Sequence, residues 1–241
     1  MSDKIALVTG ANKGIGFETA RQLAKLDIKV LIGARDEVKG KEAEATLVAE
    51  GLDVEFIHLD VDNLETHKSA ANKIVEKYGK LDILVNNAGI SIDKTNKASE
   101  TPIETFRKTF DTNFFNLIAL TQTVLPLIKK SDSGRIVNVS SMLGSSTLHA
   151  DPESMLYHFK VPAYDISKSA LNGFTTHLAY ELKDENIKVN SAHPGHVKTD
   201  MGGEGATLEL EDGAKTSVYL ATLANDGPTG GFFFNQDRLP W

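Results

Sequence analysis

The chain has 241 residues, 41% of them hydrophobic, with a formal net charge of -7 and no cysteine. That length and apolar content support a large α/β domain with a substantial core and exclude a disordered chain. The acidic balance offers no global field to nucleic acid or an anionic membrane, and the absence of thiols excludes disulfides, thiolate metal sites and cysteine nucleophiles.

The opening stretch "MSDKIALVTG" runs straight into a strand-like segment without the long apolar region of a signal peptide, and the later apolar runs are too short to span a bilayer. The expectation is a soluble, cytoplasmic protein. Strand-like runs follow at Ile5 to Thr9, Ile28 to Gly33, Val54 to Leu59, Leu81 to Val85, Arg135 to Val139, Ile187 to Ala192 and Gly231 to Phe234. Between them, helical apolar spacing covers Ile15 to Lys25, Val38 to Glu50, Leu64 to Tyr78, Ile103 to Lys129, Ala163 to Lys183 and Leu208 to Leu223. Pro126 is expected to kink or end the longest of these. The βαβα alternation predicts one domain, residues 1–241, built on a doubly wound sheet of about seven mostly parallel strands with helices on both faces. Ligands of such sheets bind beyond the carboxyl ends of the strands.

The first strand ends in "TGANKGIG", comprising Gly10, Ala11, Asn12, Lys13, Gly14, Ile15 and Gly16 after Thr9. Glycines there permit a sharp turn and close backbone approach to a pyrophosphate, while the helix that follows offers amide donors and the positive end of its dipole. The spacing differs from the usual dinucleotide fingerprint, and an ordinary structural turn is the alternative. The second strand ends in "LIGARD", where Arg35 replaces the acidic residue that would bind an unmodified ribose. Arg35 and Lys13 together suit a 2'-phosphate, which favours NADP(H) over NAD(H). The alternative is a pair of solvated cations. Asp60, next to Val61, ends the third strand and is placed to accept from adenine. Asn87, in "VNNAG" with Ala88 and Gly89, is placed to hold the fourth strand end and the ribose.

These motifs, with "NVSS" at Asn138 to Ser141, Tyr164 with Lys168, and "HPGHVKTDM" at His193 to Met201, resemble the short-chain dehydrogenase/reductases along nearly the whole chain. "ANKGIG", "ARD", "VKTDM" and the ending "GPTGGFFFNQDRLPW" are most similar to the NADPH-dependent carbonyl reductases. The resemblance implies a Rossmann-type fold and a catalytic set of Ser141, Tyr164, Lys168 and Asn113, with Ser140 as the rival for Ser141. It also implies that Tyr164 and Lys168 reach the cofactor, that the backbone at Pro194, Gly195 and Val197 flanks the nicotinamide, and that Thr199 holds its carboxamide. Tyr164 follows Ser141 by 23 positions, a longer interval than most members have. The extra segment, about 146–160, is similar to the insertion of monomeric carbonyl reductases, so a monomer is expected and a dimer is the alternative. His196 stands where many carbonyl reductases have tryptophan.

Residues i and i+4 share a helix face, so Lys168 can lie beside the phenol of Tyr164. A free tyrosine has a pKa of about 10, and a proton shuttle near neutrality needs its phenolate stabilised by about 4 kcal/mol. A cation about 4 Å away at an effective dielectric near 20 supplies about that. Lysine is therefore expected to tune tyrosine. No metal is expected, because the seven histidines lack a convincing carboxylate set. The glycine-rich stretch 201–213 is a candidate substrate lid, with a surface loop as the alternative. Met142, Leu143, Tyr157, Phe159 and Trp241 are candidate walls of an apolar pocket for a small carbonyl substrate. The expected activity is NADPH-dependent reduction of a ketone, aldehyde or quinone. A cofactor-binding regulatory protein without turnover and an alcohol dehydrogenase working oxidatively are the alternatives, whereas a serine hydrolase would need a nucleophile elbow that is absent.

Overall fold

The computed structural model describes residues 3–241. Eight strands form one sheet: β1 Ile5–Thr9, β2 Lys29–Ala34, β3 Val54–His58, β4 Ile83–Asn86, β5 Gly134–Val139, β6 Ile187–Ala192, β7 Phe232–Phe234 and β8 Asp237–Arg238. Their spatial order is β3-β2-β1-β4-β5-β6-β7-β8, parallel throughout except for the final antiparallel β7–β8 pair. The order reverses between β1 and β4, so a crevice opens at the carboxyl ends of those two strands. β8 exceeds the expected seven strands; a two-residue hairpin return carries no periodic signal.

Eight helices cover the sheet: α1 Gly14–Ala24, α2 Glu37–Ala49, α3 Leu64–Tyr78, α4 Ile103–Phe110, α5 Asn116–Ile128, α6 Ser146–Ala150, α7 Pro162–Glu181 and α8 Leu210–Ala221. One apolar core joins α1, α2 and α8 to one face through Leu23, Leu47 and Leu220; the other joins α3, α5 and α7 to the opposite face through Ile74, Val124 and Leu178. Strands covered on both faces read as continuous apolar runs, and every residue of β1 is buried. Local signals set several helix limits. Asp36 caps α2 by accepting from the Lys39 amide at 3.0 Å, and Asn63 caps α3. Gly79, at φ 74°, closes α3 in the left-handed conformation.

The single helix expected over 103–129 is instead α4 and α5 joined by a wider π turn at Asp111–Phe115. The apolar spacing continues through that turn, which is why the sequence pattern does not show it. The extra residue in the coil turns Asn113 fully inward. Pro126 lies inside α5, two residues before its end. The segment 146–160 contributes α6, and the carboxyl terminus closes over it: the Thr147 amide donates to Trp241 O at 2.9 Å, while the Trp241 ring stacks on Phe232.

Candidate active site

The glycine loop leaves β1 and enters α1 without a side-chain cap, so the first amides of the helix face outward for a ligand. Gly10 and Gly14 hold φ values of 63° and 60° that other residues resist. A Cβ on Gly16 would lie 2.4 Å from Asn87 Nδ2 and 2.7 Å from the Gly10 carbonyl. Asn87 accounts for that crowding: its Nδ2 donates to Thr9 O at 2.9 Å, and its amide donates to Thr9 Oγ1 at 3.0 Å. It therefore braces the β1 loop from β4. Ala88 donates its amide to the same Thr9 hydroxyl, and Gly89 sits against Asn113 and the Lys168 ammonium.

Arg35 is exposed at the end of β2. Lys13 pairs with Asp200 across the crevice, and a surface depression groups Asn12 and Lys13 with Lys39 from the first turn of α2. Lys39 is a cation that the sequence pattern did not single out, although its position four residues after Arg35 could have suggested it. Asp60 accepts from the Asp62 amide at 3.1 Å and is tied through its backbone to Thr66, with Val61 beside it. On the far side of the crevice, Thr199 approaches the glycine loop: its methyl lies 3.7 Å from where a Gly14 Cβ would be. Val197 is buried and bridges to Leu208, which holds the segment after Pro194 and Gly195 in place.

Ser141, Tyr164, Lys168 and Asn113 converge beyond β4 and β5. Burial pushes the Tyr164 phenol up to about 12, while the nearby Ser141 hydroxyl acts to lower it and the Asp165 charge acts with burial. Lys168 is 3% exposed, donates to Val139 O at 2.7 Å and stands 5.6 Å from the centre of the Tyr164 ring. Burial lowers its ammonium to about 8. The expectation that lysine tunes tyrosine therefore meets a stronger opposing effect, because desolvation disfavours both charges. Ser140, by contrast, turns its hydroxyl toward the Lys168 carbonyl at 3.5 Å. Asn113 spends its side chain on bracing, accepting from the Ile90 amide at 2.8 Å and donating to Ile90 O and Ser167 Oγ.

Three further groups surround this set, of which only His193 lies within a motif of the sequence. His193 is buried, and burial with the neighbouring His196 depresses it to about 4; its neutral Nδ1 accepts from the Met142 amide at 3.1 Å. Asp93 accepts from the amides of Ala163 and Tyr164 at 2.8 and 3.2 Å, satisfying donors in the first turn of α7. Asp165 is buried beside Tyr164 and accepts from the Val161 amide at 2.8 Å. Burial raises its carboxyl to about 7, assisted by the charge of Asp93. His193 and Asp93 act through backbone amides of distant segments, a relation that no local spacing reveals, whereas Asp165 holds an amide at the start of its own helix.

Of the supposed lid, residues 201–209 are pinned by His196, whose carbonyl accepts from the Thr207 and Leu208 amides and whose Nε2 lies 2.7 Å from Gly202 O, while 210–213 begin α8. The candidate pocket walls differ in exposure: Met142 and Leu143 are half-buried, whereas Tyr157 and Phe159 are exposed. Among the described residues, no group of three His, Cys, Asp or Glu is arranged to hold a metal, and no helix is long and apolar enough to cross a membrane.

The arrangement has known counterparts. The short chain dehydrogenase family model matches residues 4–208. Carbonyl reductase [NADPH] 1 of Mus musculus is 36% identical, covering 100% of this chain and 99% of its own. A (+)-neomenthol dehydrogenase of Arabidopsis thaliana is 35% identical over 98% and 97% of the two chains. The crystal structure of an NADPH-bound carbonyl reductase from chicken fatty liver superimposes with a TM-score of 0.85 at 27% identity, covering 99% of this chain and 94% of that one. With a matching family model over most of its length and a relative at 36% identity end to end, the chain belongs to the short-chain dehydrogenases.

Proposed function

We propose that the protein is an NADPH-dependent carbonyl reductase in which Tyr164 protonates the oxygen of a ketone, aldehyde or quinone. The observation that carries this reading is the phenol of Tyr164, beside the Ser141 hydroxyl and backed by the buried Lys168, at the end of a crevice that begins at the glycine loop. The residues fit the cofactor. Gly16 has no room for a Cβ and Asn87 fixes the loop, while Lys13 and Lys39 line one depression beside it and Arg35 is exposed at the end of β2, cations suited to a 2'-phosphate. The relatives named for NADPH support the same choice.

NADPH bound along this edge supplies the hydride. Negative charge then develops on the carbonyl oxygen, which takes the Tyr164 proton while the Ser141 hydroxyl donates to the same oxygen. With its pKa near 12, Tyr164 is protonated at neutral pH and ready to donate. Lys168, charged below about pH 8, offsets the negative charge left on the phenolate until solvent returns a proton. Its role is thus to stabilise a transient anion rather than to hold a resting one. Because the side chain of Asn113 is committed to Ile90 and Ser167, it braces the site. Residues 146–160 and 201–209 bound the substrate side, and residues 1–241 act as one NADP(H)-binding domain. The neomenthol dehydrogenase relative is consistent with alcohol oxidation by the same groups in reverse.

Tyr164→Phe tests the reading. Turnover should fall by about 1,000-fold, in the range for losing a general acid, while NADPH affinity stays within about twofold. Retention of more than about a tenth of wild-type turnover would remove Tyr164 from its role.

A further inference from the structure

The insertion between the catalytic serine and tyrosine carries a histidine that hydrogen-bonds one side of the site and lies 3.4 Å from a carboxylate oxygen of the other. We propose that His149, in α6, is a positioning residue that locks the Ser141 turn to the first turn of α7, so that the Ser141 hydroxyl and the Tyr164 phenol are held as a pair. The inference rests on the catalytic reading of those two residues.

Its tautomer follows from its neighbours. Lys160 Nζ lies 2.8 Å from His149 Nδ1, and an ammonium can only donate, so Nδ1 is the acceptor and the ring proton sits on Nε2. Nε2 then donates to the Leu143 carbonyl at 2.9 Å and faces Asp165 Oδ2 at 3.4 Å. Leu143 is also the residue whose amide donates to Ser141 Oγ at 3.2 Å, and the Gly144 amide returns to Ser141 O at 2.8 Å. One end of the histidine contact is therefore one residue's backbone away from the serine hydroxyl. The other end is Asp165, adjacent to Tyr164 and holding the Val161 amide. Asp93 completes the clamp by accepting from Ala163 and Tyr164. Lys160 is itself anchored by the carbonyls of His149 and Leu156, which ties the insertion into a closed loop.

The charged groups facing the ring are Lys160 from the end of the insertion, Asp165 from α7 and, behind it, Asp93 from the segment after β4. A proton on Nδ1 would face the Lys160 ammonium and break that contact. A structural role elsewhere in the insertion would not link His149 to both catalytic segments.

The test compares His149→Phe, His149→Gln and Lys160→Met. Gln offers a donor and an acceptor on one planar group, whereas Phe fills the volume with neither. His149→Phe should lower kcat by about tenfold, the scale of a small misplacement of reacting groups, with NADPH affinity unchanged. His149→Gln should recover most of that loss. Amide hydrogen exchange provides a readout that needs no substrate: in His149→Phe and Lys160→Met, residues 141–145 and 161–165 should exchange faster together. Wild-type kcat in His149→Phe, or faster exchange confined to residues 146–160, would overturn the proposal. A wild-type protein inactive on carbonyls but showing the joint change in exchange would contradict only the assigned reaction.

Discussion

The two ends of the crevice are built by different means. At the cofactor end, geometry resides in the backbone: β1 and β4 are adjacent, Asn87 and Thr9 bind main-chain atoms, and the glycine loop turns where side chains do not fit. At the substrate end, geometry resides in side chains from segments far apart in the chain. His149, His193, Asp93 and Asp165 each hold a backbone group beside Ser141 or Tyr164, and burial lowers the pKa of His193 and raises that of Asp165. The cofactor end should therefore tolerate changes of pH and fail when a Cβ is added. The substrate end should tolerate small changes of volume and respond to pH.

The largest effect that sharpens this contrast is on phosphate recognition. Replacing Lys13 and Arg35 together by Ala should weaken NADPH by about 100-fold, since each removes a charge-assisted contact, and leave NADH within about twofold. Equal losses for both cofactors, measured by fluorescence titration, would mean that the pair does not read the 2'-phosphate. Next, Gly16→Ala should weaken both cofactors by about tenfold, because the added methyl meets the Gly10 carbonyl as well as the movable Asn87 side chain. An unchanged Kd would show that the loop relaxes and that its geometry is not fixed by the backbone.

The substrate end should respond to pH. Reduction needs the Lys168 cation, whose pKa is depressed to about 8, so kcat/KM should decline as pH rises through that value. Tyr164, near 12, stays protonated over the same interval and adds no alkaline limb below it. NADPH consumption across pH 6 to about 10 measures this, and a flat profile would break the assignment. The smallest effect concerns stability. Asp165 has a folded pKa near 7, above its unfolded value, so the folded state keeps a proton that the unfolded chain releases. The stability it contributes in acid is lost as pH rises toward 7. Asp165→Asn should flatten that decline and raise Tm at pH 8 by about 3 °C, while changing it little near pH 4. An equal shift at both pH values would show that the carboxyl is not the source.

The same contrast explains what the sequence revealed. The alternation of strands and helices was legible because burial on both faces imposes continuous apolar runs on strands and a helical period on their connections. The π turn at Asp111–Phe115 was not, since an extra residue in a coil leaves the apolar pattern intact. Neither α6 nor β8 is long enough to show a period. At the site, Gly10 to Gly16, Arg35 and the Tyr164–Lys168 pair stood out because their spacing is local. The contacts of His193 and Asp93 were silent, because each works through the backbone of a segment that only the fold brings near, and those of His149 and Asp165 were silent because they depend on the turns of 141–145 and 161–165, which carry no period. The balance between Tyr164 and Lys168 was only half legible for a related reason: charge proximity can be read from helix spacing, whereas burial of both groups requires the surrounding structure.

The central claim is tested most directly by following cofactor consumption in the purified wild-type protein with aromatic ketones, aldehydes and quinones, using NADPH and NADH in parallel. The account predicts turnover of at least one of these carbonyl classes, much faster with NADPH than with NADH. Tight NADPH binding without turnover of any of them, or an equal rate with NADH, would contradict it.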